Sequence, residues 1–466
     1  MDNSTERSPP LDSHLPTADL SETSEKDAAN GFQPGSDPEA PPSNQVGSDQ
    51  IDTMMEKKGT KPDPADFPDG GFEAWLVVAG GFFATFCSFG WINCIGVFQN
   101  YYSQHQLKEY SSSTIAWIPS TESFMLFFPG YIAGRMTDEL GPRIPLLLGS
   151  FLHVFGLMMT SISKEYYQFF LAQAVCSGLG CSFLFYPIIA ACGSWFRVHR
   201  ALAFGIMVSG SSIGGVVLPI MVQRLIPQIG FGWAMRAVAF MFLGLLVIVN
   251  LTVKSRLPPA HRPFDFMAMV KPFSETPFLL LALAGFFTYV GGFLPFNFLI
   301  VQGEDSGMSA DLASYLIPIM NAASTFGRIL PAHAGDLFGV FNVMIVFSAF
   351  GGIMTLALWL PAAANAPIIV YAIMYGFASG CTLSIIPAMV ARLGHISQLG
   401  ARSGALYALA SIGVLVGSPI GGAIQNTQHG AYSGLIIFAG VALLIGTFFT
   451  VLSRTAQVGF NIKAKV

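Results

Sequence analysis

The sequence predicts an all-α membrane protein in which twelve transmembrane helices form two pseudo-symmetric halves of six helices each. Composition is the first reason: 52% of the 466 residues are hydrophobic and only 11% are charged. A soluble globular protein carries about 25% charged residues, so this chain has too little charge to cover a surface that faces water. The other two reasons are the length of the apolar stretches and an internal repeat.

Twelve apolar stretches follow residue 74, and most are about 18–26 residues long, enough for a helix to cross a hydrocarbon core of roughly 30 Å. The first six are predicted at 74–99, 113–133, 144–163, 167–191, 201–224 and 231–253. The second six are predicted at 278–301, 312–334, 342–360, 366–391, 403–424 and 432–453. Barrel strands would be shorter and would alternate apolar with polar residues, so a membrane β-barrel is excluded.

An internal repeat divides the apolar region into the two halves. GRMTDELGPR (134–143) ends one apolar stretch and AHAGDLFG (332–339) ends another, about 200 residues later. GSSIGGVVLP (210–219) and GVLVGSPIGG (413–422) repeat with nearly the same offset inside two further stretches, where their glycines indicate close helix packing or a hinge. Tandem halves of spanning helices are typical of secondary transporters, whose substrate site forms between the halves.

The segments outside the helices are predicted from composition. Residues 1–72 contain fifteen Asp and Glu, five Lys and Arg, and no apolar periodicity, which predicts a disordered acidic tail. The expected organisation is this tail at 1–72, an N-terminal half at 73–253, a linker at 254–277, a C-terminal half at 278–453 and a second tail at 454–466.

Basic residues predict the orientation in the membrane. With twelve spans, thirteen Lys and Arg fall in one set of loops and the C-terminal tail, whereas the opposite loops carry only Lys108 and Lys164. Excess Lys and Arg mark the cytoplasmic side. Both tails and the linker are therefore expected in the cytosol, and the chain is expected to be a multi-pass protein of the plasma membrane.

Other function classes lack their motifs. The GxxxxGK[ST] phosphate cradle of ATP-driven pumps is absent. The six cysteines lack the spacing of metal ligands and are expected to be small buried side chains. No nucleophile, base and metal ligand converge as an enzyme would require. We therefore expect no enzymatic activity, no metal, no cofactor and no nucleic-acid partner.

Short motifs resemble those of one transporter family. The cytosolic motif between helices 2 and 3 of the major facilitator superfamily is similar to Gly134, Asp138, Gly141 and Arg143. SWFRVHRALAFG (194–205) resembles the loop between helices 4 and 5 of that family. DGGFEAW (69–75) and NAASTFGRILP (321–331) resemble its monocarboxylate-porter branch, the second its fungal members in particular. The resemblance covers residues 69 to about 453 and implies the major facilitator fold.

The first of these motifs predicts a contact that holds one transporter conformation. At the membrane–cytosol boundary a carboxylate can cap a helix N-terminus and pair with a guanidinium, roles that we expect of Asp138 and Arg143. In the second copy Asp336 and Gly339 take the corresponding places, but Ala332 replaces the first glycine, so a weaker contact is expected. The alternative is that these residues only fix the geometry of the loops.

Polar residues inside the predicted helices mark the expected substrate site, because ionisable groups within a membrane are costly and usually face a cavity. Arg328 lies about 12 Å into the eighth helix, and the resemblance implies that it contacts an anionic substrate. Its alternative role is structural, in an ion pair or with helix carbonyls. Asn321 lies two helical turns away on the same face.

Glu122 is the only acidic residue well inside a predicted span. It is expected either to titrate with substrate or a coupling proton, or to face a water-filled outer vestibule. Further substrate-binding candidates are Asn93 and Asn297, and weaker ones are Gln173 and His153.

Departures from the family guide the functional hypothesis. Asn93 and Ser324 stand where animal monocarboxylate porters carry a lysine and an aspartate, and the superfamily's proton-linked arginine of helix 4 would fall near Ala174. These changes disfavour lactate–proton symport and favour export of a small organic molecule, such as a fungal secondary metabolite, by alternating access. The alternatives are uptake of a monocarboxylate or riboflavin-like nutrient, and a membrane sensor without transport. Expected partners are the small-molecule substrate, membrane lipid and, in a coupled mechanism, a proton.

Overall fold

The six helices of the N-terminal half follow one another with short connections. The computed structural model describes residues 67–259, 267–461 and 464–465. In it α1 comprises Phe72–Cys87, Phe89–Ile92 and Ile95–Gln104, and α2 comprises Ser112–Phe127 and Gly130–Leu140. α3 is Arg143–Thr160, and α4 comprises Tyr166–Phe169, a π-helical stretch at Phe170–Ser177, and Gly178–Trp195. α5 is Arg200–Ile229 and α6 is Phe231–Thr252.

The C-terminal half repeats this arrangement. A short helix at Met267–Val270 and a 3₁₀ turn at Lys271–Ser274 lead into α7, which comprises Thr276–Gly292 and Leu294–Asp305. A short helix at Ala310–Ser314 precedes α8, Leu316–Phe338. α9 comprises Val340–Met354 and a π-helical end at Thr355–Trp359, and α10 is Asn365–Leu393. A 3₁₀ turn at Ile396–Gln398 leads into α11, Leu399–Thr427, and α12 is Ser433–Val458.

The all-helical architecture predicted from the sequence is confirmed. Ten of the helices in the described part of the chain are long and apolar enough to cross a membrane. The other two are α2, which is interrupted at Phe128 and Pro129, and α8, which carries Arg328 and Asp336. Both lie between the halves, where polar residues face a cavity or another helix instead of lipid.

In the described part of the chain, the two most extensive helix contacts between the halves are those of α5 with α8 and of α2 with α11. Because α2 and α8, and likewise α5 and α11, are equivalent in the internal repeat, the two contacts are related by pseudo-symmetry. Small residues set the distance between these helices. A Cβ atom added to Gly134 would lie 2.0 Å from the carbonyl oxygen of Gly400, and one added to Gly205 would lie 2.4 Å from that of Arg328. Glycine at these positions therefore permits backbone-to-backbone packing.

The ends of the described segments refine the predicted boundaries. Within the predicted tail and linker, residues 1–66 and 260–266 lie outside the described residues. Asp69, which composition assigned to the tail, accepts a hydrogen bond from the backbone N–H of Val198 at 2.7 Å. At the other end α12 continues to Val458, so Arg454 is a helix residue, 7% exposed, that donates to the Asn461 carbonyl at 2.7 Å.

Candidate functional site

A cavity of about 1290 Å³ lies between the two halves. It opens at the end of the helices where the loops are predicted to face outward, while the opposite end is closed by the α2–α11 and α5–α8 contacts. Aromatic side chains form much of its wall, among them Phe89, Trp117, Tyr289, Phe293, Phe296 and Tyr375. Among the described residues that line it, Glu304 and Arg328 are the charged ones. The cavity is therefore largely apolar and open only at the end that the sequence predicts to face outward.

Arg328 lies in the wall of this cavity and is 5% exposed. Its Nη1 donates to the backbone carbonyl of Val208 at 2.7 Å and to the hydroxyl of Ser211, both on α5 of the other half. Its Nε has no hydrogen-bond partner, and no carboxylate forms an ion pair with it, among the described residues. The guanidinium therefore lies at the cavity and also binds a helix carbonyl of the other half, and its contact with an anionic substrate stays a prediction.

Asn321 and Asn93 meet across the two halves. The Asn321 Nδ2 donates to the Asn93 Oδ1 at 3.2 Å and to the carbonyl of Ile317 at 3.1 Å. Both side chains line the cavity. A Cβ atom added to Gly215 of α5 would lie 2.7 Å from the Asn321 side chain, so glycine at 215 makes room for this contact.

Asn297 also lines the cavity, but its partner belongs to its own half. Its Nδ2 donates to the Ser418 Oγ on α11 at 2.5 Å. The side chain is exposed to the cavity, which leaves its amide oxygen available to a ligand. The structure thus brings Arg328, Asn321, Asn93 and Asn297 together around one cavity, and their role in substrate binding stays a prediction.

Glu122 is not part of the cavity lining, which corrects its assignment as a substrate-binding residue. Ser120 and Ser123 of the same helix do face the cavity. Since successive residues of an α-helix are about 100° apart, Glu122 lies on a different face of α2, packed against α1 and α4. It is 1% exposed and accepts hydrogen bonds from Trp91 and Gln173, both at 3.0 Å.

The closed end carries two equivalent carboxylate caps. The carboxylate of Asp138 accepts from the backbone N–H groups of Gly400 at 3.2 Å and Ala401 at 2.8 Å, at the start of α11. The carboxylate of Asp336 accepts from those of Ala201 and Leu202, both at 2.9 Å, at the start of α5. Each acid thus caps a helix of the opposite half, where the partial positive charge of the N-terminus favours an anion.

The other motif residues at this end are Gly141, Gly339 and Arg143. Gly141 and Gly339 follow α2 and α8 with φ of 81° and 96°, left-handed values that favour glycine. Arg143 is exposed and, among the described residues, forms no ion pair with Asp138. The ion pair next to this cap joins Arg135 and Glu139 at 2.7 Å. The expected pairing of Asp138 with Arg143 is therefore replaced by backbone N–H donors.

Sequence reasoning missed two further acids at this end. Asp69 accepts from the backbone N–H groups of Arg197 at 2.5 Å, Val198 at 2.7 Å and His199 at 3.5 Å, just before α5. Glu275, just before α7, binds the guanidinium of Arg402 through two hydrogen bonds at 2.9 and 2.6 Å. Asp69 precedes α1 and Glu275 precedes α7, the first helix of each half. A comparison of the two halves that includes the residues before these helices would identify both acids.

Comparisons with known proteins agree with this architecture. The sequence model of the Major Facilitator Superfamily matches residues 81–366 and 281–465. MFS-type transporter 1 of Ophiocordyceps sp. is 49% identical over 404 residues, which cover 87% of this chain and 90% of that protein. The fujikurins efflux protein of Gibberella fujikuroi is 44% identical over 388 residues, which cover 83% of both chains.

A solved structure agrees at the level of the fold. The human organic anion transporter MFSD10 is 14% identical, with a TM-score of 0.68 over 81% of this chain and 99% of that one. At this identity the likeness concerns the arrangement of the helices alone.

Proposed function

Because the chain belongs to the Major Facilitator Superfamily, we propose that this multi-pass membrane protein is an efflux carrier for a fungal secondary metabolite. It works by alternating access across the plasma membrane and belongs to a monocarboxylate-porter-like branch. The direction is supported by relatives whose names describe efflux, such as the fujikurins efflux protein. The two equivalent helix-pair contacts between the halves support a rocking motion around a central cavity.

The observation that carries the proposal is Arg328 within the aromatic cavity. Among the described residues, its buried Nε has no hydrogen-bond partner and no carboxylate forms an ion pair with the side chain. A guanidinium presents several N–H donors in a plane that matches a carboxylate or an acidic enol. Aromatic walls bind an apolar body at the same time. We therefore propose an amphipathic organic acid as substrate, with its anionic head at Arg328 and its body against the cavity wall.

Two asparagines of the proposed site make its shape depend on the conformation of the carrier. Asn321 and Asn93 belong to different halves and bond each other at 3.2 Å. Rocking of the halves changes their separation, and with it the set of amide groups that a substrate can reach. In the same proposal Asp138 and Asp336 stabilise the outward-facing state, since both caps join the halves at the closed end.

Metabolite profiling of a strain that lacks this gene tests the proposal. Export predicts that at least one acidic metabolite accumulates inside the mutant cells and is depleted from the medium, and that re-expression reverses both changes. The same metabolite should leave proteoliposomes that contain the purified protein. If wild-type cells deplete a nutrient from the medium and the mutant cells do not, the protein is instead an uptake carrier. Normal metabolite levels with altered gene expression would indicate a sensor.

A further inference from the structure

The two halves contribute unequally to the wall of the cavity. In the C-terminal half all six helices, α7 to α12, supply lining residues, whereas among the described residues of the N-terminal half only α1, α2 and α5 do so. The cavity therefore has a branch in the C-terminal half that extends past α8 and α10 as far as α9 and α12. The residues of this C-terminal branch include Thr288, Ser324, Ser348, Gly351, Ser379 and Thr382.

The internal repeat explains why the branch is found in one half. Counted from the equivalent acids Asp138 and Asp336, Gly351 of α9 corresponds to His153 of α3, since each lies fifteen residues further along the chain. The His153 ring is fully buried and stacks on Phe242 with 5.3 Å between the ring centroids. An imidazole thus fills the interior of the N-terminal half, and the glycine in the second copy leaves the equivalent space open.

The wall of the branch carries hydroxyl groups without hydrogen-bond partners. Serine and threonine in a helix often donate to a carbonyl of the preceding turn, as Thr450 of α12 does to Gly446 at 2.9 Å. Thr288, Ser324 and Thr382 line the branch, and their hydroxyls form no hydrogen bond with the described part of the chain. Because a hydroxyl can both donate and accept, this set suits a ligand with several oxygen atoms.

The branch begins beside Arg328. Ser324 lies one helical turn before Arg328 on α8, so the two side chains share a face of that helix, and both line the cavity. The aromatic side chains of the cavity wall belong mainly to α1, α2 and α7. A ligand whose charged group lies at Arg328 can therefore place neighbouring polar atoms in the branch and an apolar body against the aromatic wall.

We propose that the C-terminal branch is a subsite for an acidic head group with further oxygen atoms next to the charged one, as in an enolised dicarbonyl or a hydroxy acid. The inference rests on the proposed export of an amphipathic acid, to which it adds the kind of head group. Arg328 binds the charged oxygen, and the hydroxyls of the branch bind its neighbours. An acid with a plain carboxylate leaves those hydroxyls unpaired and binds more weakly.

The position of the branch separates recognition of the head from the rocking motion. All of its residues belong to the C-terminal half, so the head group keeps its contacts when the halves move relative to each other. Contacts of the apolar body with α1, α2 and α5 change during the same step. We therefore expect the C-terminal half to select the head group in both conformations.

Two synthetic probes with the same alkyl tail test the proposal on the purified full-length protein in lipid nanodiscs. One ends in a plain carboxylate and the other in an acidic acylated hydroxypyrone, whose enolate is flanked by carbonyl oxygens. Calorimetry should show about tenfold tighter binding of the hydroxypyrone. Thr288→Val and Thr382→Val each remove one hydroxyl and should lower this preference by roughly threefold or more, with the carboxylate affinity unchanged. Thr450→Val, at a buried position outside the cavity lining, is the control.

Gly351→Leu should fill the branch from α9 and abolish the preference, while the plain carboxylate still binds. Equal affinity of wild type for the two probes would show that the branch holds water alone and would overturn the proposal. A preference that survives both valine substitutions would do the same, and these variants decide the matter if Gly351→Leu does not fold. If wild type binds neither probe, the subsite is refuted, while metabolite profiling of the deletion strain still decides whether the protein exports an acid.

Discussion

Arg328 of α8 donates a hydrogen bond to the Ser211 hydroxyl of α5, so the buried cation of one half is attached to the other half. A second bond from the same Nη1 reaches the Val208 carbonyl at 2.7 Å. Opening of the closed end must break both bonds, because α5 and α8 belong to different halves. An anion bound to the guanidinium in the cavity would replace these partners, which connects substrate binding to the contact between the halves.

Substitution of Arg328 by lysine or alanine should reduce flux about 10- to 100-fold, since a hydrogen bond to a charged group contributes about 1.5–3 kcal/mol. Lysine keeps the charge but lacks the planar set of donors, so it should not restore transport. The measurement is the flux of the metabolite that accumulates inside the deletion strain, normalised to the amount of carrier protein in the membrane. Arg224→Ala, at an exposed position of α5, is the control and should transport normally. Wild-type flux in Arg328→Ala would leave the residue with a structural role alone.

Asp138→Asn should weaken the cap on α11 and shift the protein toward the state open to the cytosol. A carboxylate at a partly buried helix N-terminus contributes about 1–2 kcal/mol, or roughly 5- to 30-fold in the equilibrium. We expect slower transport with nearly unchanged substrate affinity. Labelling of a single cysteine at the closed end reports the shift, and Asp311→Asn, at an exposed position between α7 and α8, is the control. A large loss of affinity with normal turnover would refute the capping role.

Asp336→Asn should act in the same direction as Asp138→Asn, because Asp336 accepts two hydrogen bonds of 2.9 Å at the equivalent place on α5. The sequence predicted a weaker contact in this copy from the alanine at 332. The two bonds, each of 2.9 Å, instead lie between the 2.8 and 3.2 Å of the two Asp138 bonds in length. We therefore expect effects of similar size in the cysteine-labelling assay, and a much smaller effect of Asp336→Asn would support the original expectation.

Gly215→Ala should disturb the contact between Asn321 and Asn93. The added methyl group would lie 2.7 Å from the Asn321 side chain, and crowding of this kind typically costs about 1–3 kcal/mol. Apparent affinity should fall, and Asn321→Ala should produce a milder loss. Gly244→Ala is the matched control, because nothing lies within 4 Å of a Cβ atom at that position of α6. Equal affinities in all three variants would exclude a role for this asparagine pair.

Two truncations distinguish the acidic tail from the segment that binds α5. Removal of residues 1–66 should leave folding and transport intact, because their composition predicts no packed structure. Removal of residues 1–71 should lower stability by about 2 kcal/mol, since it also deletes the charged acceptor Asp69. It further deletes Phe67, whose ring lies 5.3 Å from the Arg200 guanidinium and 5.1 Å from that of Arg256. Thermal unfolding measured on both purified proteins makes the comparison, and equal stabilities would contradict it.

The sequence by itself determined the number of helices, their grouping into two halves and the pair of equivalent acids Asp138 and Asp336. These features depend on the length of apolar stretches and on repeated motifs, which are local properties of the chain. It also placed Arg328 and Asn321 on one face of α8, because helical periodicity relates residues seven apart.

Only the tertiary structure decided what those residues contact. Glu122 was predicted in the substrate site but lies in a separate network, because α1 and α4 pack on its face of α2. Asp138 binds the start of α11, 262 and 263 residues away in the chain, and not the nearby Arg143. The contact of Arg328 with α5 likewise spans 117 residues. Such partners are set by the packing of helices that are distant in sequence, and periodicity along a single helix contains no information about them.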